Sequence, residues 1–208
     1  MMKLFFSPGA GSLAQHILLA ECDANFKSQR VDLKTKKTST GEDFFKINPK
    51  GQVPTLLTND GKILTEGAVI VQFIADQFPE RELLPRMGTW ERYRANEWLN
   101  YIASEIHKSF GVMFSADRMI ASMDGNAQLK AGMRQHLVLK LNYLSSHLAL
   151  NSYLLGESFS AADAYLFTCL GWHKYVDLNL NQWPEIVSYM QKISARPAVQ
   201  RALELETL

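Results

Sequence analysis

The chain is poor in cysteine. Cys22 and Cys169 are the only two in 208 residues, far apart and in no C-x-x-C arrangement. That excludes a disulfide framework, a redox dithiol and a cysteine-built zinc site. Histidine is scarce too, with five in all. His136 and His147 fall on a similar helix face about three turns apart, too far to share an ion, so no metal is expected. An excess of charge of one sign is missing. Lys and Arg total 22 against 21 for Asp and Glu, a net charge of +1 with His neutral. This balance argues against nucleic acid or an anionic membrane surface as a partner. Long apolar runs are absent as well: Ala164–Trp172 falls well short of the ~20 residues that a membrane-spanning helix needs. The opening MMKLFFSPGAGS turns polar and Gly-rich after Phe6, which is not the pattern of a secretory leader, and a cytoplasmic location is expected. No Gly-x-Ser-x-Gly elbow, Walker loop or dinucleotide fingerprint occurs.

What is present is an ordinary globular composition, 47% apolar and 21% charged. Its texture changes near residue 80. Before that point, short strand-like runs alternate with helical ones. Lys3–Phe6 reads as a strand stopped by Ser7-Pro8-Gly9-Ala10-Gly11, and Ser12 is placed to cap a helix carrying Leu13, His16, Ile17 and Ala20. Ser28–Leu33 suits a second strand. Pro54–Thr58 and Lys62–Thr65 flank Asn59-Asp60-Gly61, a hairpin signal because Gly accepts positive φ. Ala68–Phe78 then has helical spacing. Pro79, Pro85 and Gly88 punctuate a linker over residues 81–88. Beyond it, Trp90–Phe110, Ala127–Ala149, Ala161–Tyr175, Pro184–Ser194 and Pro197–Leu203 all read as helices, with Ser160 and Asp163 forming a capping box. The expected organisation is a mixed α/β domain over 1–80 and an all-helical domain over 89–208. No internal repeat is present.

Four features bear on chemistry. The Ser7–Ser12 turn leads into a helix whose first N–H groups favour an anion, although any turn and helix start would look the same. Val53-Pro54 abuts a strand, and a cis bond there would turn the Val53 backbone outward to receive an extended peptide; a plain turn is the simpler account. Glu66-Gly67 opens another helix, offering N–H groups to a carboxylate and Glu66 to an ammonium, or serving only as a helix start. Glu97, Asn100, Ser104 and His107 fall on one side of the first long helix, which suits a polar ligand, a subunit contact or simply a wet face.

These pieces occur in an order that resembles the glutathione S-transferases, most closely the bacterial beta class, over essentially the full length. The segments that carry the likeness in the first domain are Lys3-Leu4-Phe5, Ser7-Pro8-Gly9-Ala10, Ser12-Leu13-Ala14, Val31-Asp32-Leu33, Asn48 through Pro54 and Leu64-Thr65-Glu66-Gly67. In the helical half they are Glu97 through Lys108 and Ala161 through Phe167. The resemblance implies a thioredoxin-like N-terminal domain followed by an all-helical one, and a homodimer. Glutathione would be co-substrate and there would be no cofactor. Val53, ahead of a cis Pro54, would pair with the tripeptide's cysteinyl backbone. Glu66 and Gly67 would hold its γ-glutamyl end and Lys36 its glycyl carboxylate. Asn100 and the turn Ser104, Glu105, Ile106 and His107 correspond to positions near the glutathione site.

The chain departs from that pattern at one important position. The beta class usually carries a cysteine directly before the serine that opens the first helix, and here that residue is Gly11. Phe6 likewise stands where a tyrosine is often found. Without a sulfur, Gly11 cannot exchange disulfides, and what remains is activation of glutathione's own thiol. A free thiol has pKa ~8.5, and lowering it by one unit takes ~1.4 kcal/mol of preferential stabilisation of the anion. Ser12 is the first candidate to supply this and His107 the next. The expectation is a transferase that conjugates glutathione to small apolar electrophiles, with Phe110, Met113, Phe114, Trp172 and Tyr175 as pocket walls. The alternative is a protein that binds glutathione or apolar ligands without catalysis.

Overall fold

The structure, a computed structural model, describes residues 1–207. Leu208, the last residue of the expected helical domain, lies outside the described residues. Strand β1 (Met2–Phe6) is buried along nearly its whole length, because its side chains alternate between two apolar layers. Leu4 and Phe6 enter the main core, while Phe5 meets Val31 and Phe44 in a smaller cluster on the opposite face. β1 runs parallel to β2 (Phe26–Asp32), with Met2 opposite Phe26 and Phe6 opposite Arg30, and antiparallel to β4 (Thr55–Leu57). β4 pairs with β5 (Ile63–Thr65) across the expected Asn59-Asp60-Gly61 turn, where Gly61 takes φ +81°. β3 (Lys37–Thr38), a two-residue strand with no sequence signal, completes the order β3-β2-β1-β4-β5.

Helix α1 (Leu13–Glu21) connects the two parallel strands and is buried from Leu13 to Ala20, its polar Gln15 and His16 included. It is enclosed because it packs on α2 (Gly67–Gln77) and also on two later helices, α6 (Ala161–Leu170) and α8 (Pro197–Thr207). One apolar core therefore runs from the sheet through α1 and α2 into the helical half. The segment between them is pinned: Leu83 is buried and its carbonyl accepts the Ala161 N–H at 2.9 Å. Arg92, also buried, holds Asp76 through both carboxylate oxygens at 2.8 and 2.9 Å.

The helical half differs from the expected elements in several places. The stretch expected as Trp90–Phe110 is α3 (Trp90–Tyr101), then a six-residue π-helical segment Ile102–His107, then α4 (Lys108–Met119). Helix α5 (Met123–Leu148) starts earlier than expected because Ser122 caps it through the Gly125 N–H. The helix expected over Ala161–Tyr175 ends at Leu170 and tightens into a 3₁₀ turn, Gly171–Tyr175. The Ser160–Asp163 box is present, Asp163 accepting the Ser160 N–H at 2.8 Å. Helix α7 (Pro184–Ser194) has the expected bounds, and α8 runs on past Leu203.

Candidate active site

Three loops and one helix surround a cavity of about 620 Å³. The first loop, Ser7 to Ser12, leaves β1 and winds into α1. Gly9 takes φ +69°, a conformation that a side chain disfavours. Both halves of the Gly9 backbone are gripped by the helical half. Its N–H donates to Glu206 Oε2 at 2.7 Å, and its carbonyl accepts the Trp172 Nε1–H at 2.7 Å. Glu206 also meets Nδ1 of the buried His16 at 2.6 Å, so the last helix, α1 and this loop share one carboxylate. The Gly11 N–H, at the mouth of α1, has no partner among the described residues.

Ser12 does not take the position expected of it. It has helical dihedrals, φ −66° and ψ −16°, rather than the extended geometry of a cap, and its side chain makes no cap bond. The hydroxyl turns back to the first strand, accepting the Ser7 N–H at 3.2 Å and donating to the Ser7 carbonyl at 3.3 Å. The residue is fully buried and is not part of the cavity wall.

The second loop, Asn48 to Pro54, is braced by Asn48, whose Nδ2 donates to the Gln52 carbonyl and to Thr55 Oγ1 at 2.8 and 2.9 Å. Gly51 suits its place in this loop. It has φ +62°, and a Cβ would come within 2.6 Å of the Phe45 ring. The Val53–Pro54 peptide is cis. Neither the N–H nor the C=O of Val53 is bonded by any described residue, so both are open for an extended ligand. Lys36 reaches the same wall and donates to the Gly51 carbonyl at 2.8 Å, which leaves two of its three donors free. At the third loop, Glu66 takes φ +69° and its carbonyl accepts the Val69 and Ile70 N–H groups, while the N–H groups of Gly67 and Ala68, which open α2, have no partner among the described residues. Glu66 is exposed, and its carboxylate pairs with Lys50 at 2.5 Å.

The π-helical segment ends at His107, whose ring lies beside Gly11 in the cavity wall. Its Nδ1 lies 2.7 Å from the Tyr165 hydroxyl, and its ring packs edge-on to Trp172 with centroids 4.8 Å apart. Burial pulls the imidazole pKa down from 6.5 to about 4; the Lys108 cation adds to this and Glu66 opposes it. His107 is therefore neutral at pH 7.

Of the residues named from the sequence, Gly11, Lys36, Val53, Pro54, Glu66, Gly67 and His107 all line this one cavity. The others do not. Asn100 and Ser104 are exposed and bonded to each other, Ser104 Oγ donating to the Asn100 carbonyl at 3.0 Å. Glu105 turns away to Lys140 at 2.7 Å, and Ile106 is core. Among the expected walls, Phe114, Trp172 and Tyr175 face the cavity. Phe110 and Met113 are buried, and the Phe110 ring backs that of Trp172. Tyr165 is the lining residue whose role went unread, because its partner His107 is 58 positions away in the chain. The two cysteines are buried and free. Burial pushes the Cys22 thiol up to about 12 and Cys169 well above the ordinary value, so neither supplies a thiolate.

A sheet of this order flanked by α1 and α2, joined to a helical half with a cleft between them, defines a thioredoxin-like domain carrying a helical partner domain. Two family models match the chain: glutathione S-transferase, N-terminal domain, over residues 12–77, and glutathione S-transferase, C-terminal domain, over 101–197. The chain belongs to the glutathione S-transferase family. It is 45% identical over 207 residues to glutathione S-transferase GstA of Escherichia coli O157:H7, with all of both chains covered. Among solved structures, a sphingomonad glutathione S-transferase complexed with glutathione superposes with a TM-score of 0.92 at 41% identity, covering 99% of each chain. A bacterial beta class glutathione S-transferase from Sphingomonas chungbukensis does so with 0.91 at 41% identity, covering 98% of each.

Proposed function

We propose that this protein is a glutathione transferase that ionises the thiol of bound glutathione over Gly11 and directs the thiolate at a small apolar electrophile. The observation that carries this reading is the convergence of Lys36, Val53, Glu66, Gly67, Gly11 and His107 on one cavity. In this reading the γ-glutamyl carboxylate takes the free N–H groups at the start of α2, with the helix dipole behind them, and the ammonium approaches Glu66. The cysteinyl backbone pairs with Val53 as an added strand would, and the glycyl carboxylate meets Lys36. That arrangement suspends the sulfur near the Gly11 N–H and His107. Both are positioned to donate to an anion, and the thiol proton leaves to solvent. Fixed donors at the place where charge develops need no reorganisation when the thiol ionises. The aromatic wall of Phe114, Trp172 and Tyr175 receives the electrophile.

Ser12 enters this reading as the residue that holds the loop, through Ser7, rather than as a donor to sulfur. A cytoplasmic location and a homodimer belong to the same reading. Trp90 and Tyr93, exposed by 72% and 61% on α3, supply apolar surface of the kind a subunit contact covers. Asn100 and Ser104, on the same side of the chain's path, would then face the second subunit.

Glutathione conjugation of an activated aryl halide tests the activity, with turnover expected in the parent and a loss of about a hundredfold in His107→Ala. Binding of glutathione without turnover would replace the transferase by a carrier. Sedimentation tests the assembly: a dimer is expected for the parent and a monomer for Trp90→Glu/Tyr93→Glu.

A further inference from the structure

The two nitrogens of His107 stand in different surroundings. Nδ1 faces the Tyr165 hydroxyl at 2.7 Å, while Nε2 has no hydrogen-bond partner among the described residues, and the ring lines the cavity. A neutral imidazole carries one hydrogen, so one nitrogen donates and the other accepts, and the partner of the first decides the role of the second. Two arrangements fit the distance. If Nδ1 donates, Nε2 is a bare acceptor and can take a proton from a thiol. If the tyrosine donates, Nε2 carries the hydrogen and can only give a hydrogen bond.

Tyr165 separates these two cases. The residue is 3% exposed, burial holds its hydroxyl in the protonated form, and among the described residues the hydroxyl has no hydrogen-bond partner other than His107 Nδ1. Were Nδ1 the donor, the phenol hydrogen would be buried with no acceptor, a costly arrangement that folded proteins avoid. With the tyrosine donating, the phenol hydrogen has its acceptor, and the imidazole hydrogen sits on Nε2. The charged groups that act on the ring, Lys108 and Glu66, do not touch Nδ1.

We infer that Tyr165 is a positioning residue: by donating its hydroxyl hydrogen to His107 Nδ1, it fixes the imidazole in the Nε2–H tautomer and makes His107 a neutral hydrogen-bond donor to glutathione's sulfur instead of a base. The inference rests on the transferase reading for its consequence, but its geometry belongs to the protein alone. In this arrangement the thiol proton passes to water, and Nε2–H then bonds the thiolate left behind. The role Tyr165 plays is thus that of the group which orients a catalytic histidine, performed by a phenol from α6.

Nitrogen-15 spectra of the imidazoles in the glutathione-free protein test the tautomer directly, the His107 signals being identified by their loss in His107→Gln. The expected spectrum has a bare Nδ1 and a protonated Nε2, averaging toward a mixture in Tyr165→Phe, which removes only the hydroxyl. A protonated Nδ1 in the parent, or no change in Tyr165→Phe, overturns the inference. Titration of the bound glutathione thiol is the second arm. Tyr165→Phe should raise its pKa by about one unit, a tenfold loss of thiolate below the midpoint. His107→Gln keeps an amide N–H and has no basic nitrogen, so it should retain most of the lowering that His107→Ala loses. Equal losses in the Gln and Ala variants would make His107 a base and overturn the donor role. A parent thiol with an unshifted pKa would instead refute the transferase reading, and the nitrogen spectrum would still decide the tautomer.

Discussion

The Cε1 atom of His107 stands 3.3 Å from the point where a β-carbon on Gly11 would lie, with Pro54 Cδ and Trp172 Cη2 at 3.9 and 4.0 Å. Gly11 is therefore the floor of a tight, mostly apolar slot, and its φ lies outside the range that strains other residues. Gly11→Ala should fold, push the imidazole back by a few tenths of an ångström and lower turnover about tenfold, equivalent to ~1.4 kcal/mol, with glutathione affinity little changed. Gly11→Cys puts a thiol in the same slot. Mixed with glutathione disulfide, it should gain one glutathionyl group by mass, which the parent should not.

The depressed pKa of His107 makes stability depend on pH. The folded value is about 4 against 6.5 unfolded. Between those limits the unfolded chain binds a proton that the folded chain refuses. The contribution is thus fully present above pH 6.5, declines as the pH falls, and is gone below about 4. Urea unfolding at pH 7 and pH 5 should show the parent losing about 2 kcal/mol more than His107→Gln, which cannot titrate. Equal losses would mean that the imidazole is not held neutral.

Ser12→Ala removes the hydroxyl that both accepts from and donates to the Ser7 backbone. The expected result is a stability loss of about 1 kcal/mol in chemical denaturation, with the pKa of bound glutathione unmoved. His107→Ala should raise that pKa, and it carries a stability loss of its own because the Tyr165 hydroxyl loses its acceptor. A large rise in thiol pKa on losing Ser12 would restore it to the role that the sequence first suggested.

Glu206 is the acceptor for both the Gly9 N–H and buried His16. Glu206→Ala leaves the buried His16 and the more exposed Gly9 N–H without their acceptor, for a cost of about 1–3 kcal/mol in denaturant unfolding. Because Gly9 also carries the Trp172 bond, the loop should loosen and the KM for glutathione rise in the same variant.

Much of this fold was legible because local chemistry and tertiary context agree. The Asn59-Asp60-Gly61 hairpin, the Ser160–Asp163 box and the proline-led α7 each rest on residues next to one another, and each appears where expected. The site was legible only through a family likeness, since each of its loops alone is a plausible turn. What stayed hidden has a shared physical cause. The π-helical segment before His107 differs from an α-helix in its backbone bonding, not in the type of residue it displays. Strand β3 is too short for any alternation to show. Ser12 looked like a cap because of its residue type and position, but its helical dihedrals send the hydroxyl elsewhere. Trp172 to Gly9, Glu206 to Gly9 and Tyr165 to His107 join residues 163, 197 and 58 positions apart, and no spacing rule reaches that far.

Ultraviolet titration of the thiolate in the glutathione-saturated protein tests the central claim most directly. A midpoint at least one unit below that of free glutathione is the result this account predicts, tenfold or more in thiolate near neutral pH. A midpoint equal to that of the free tripeptide would contradict it.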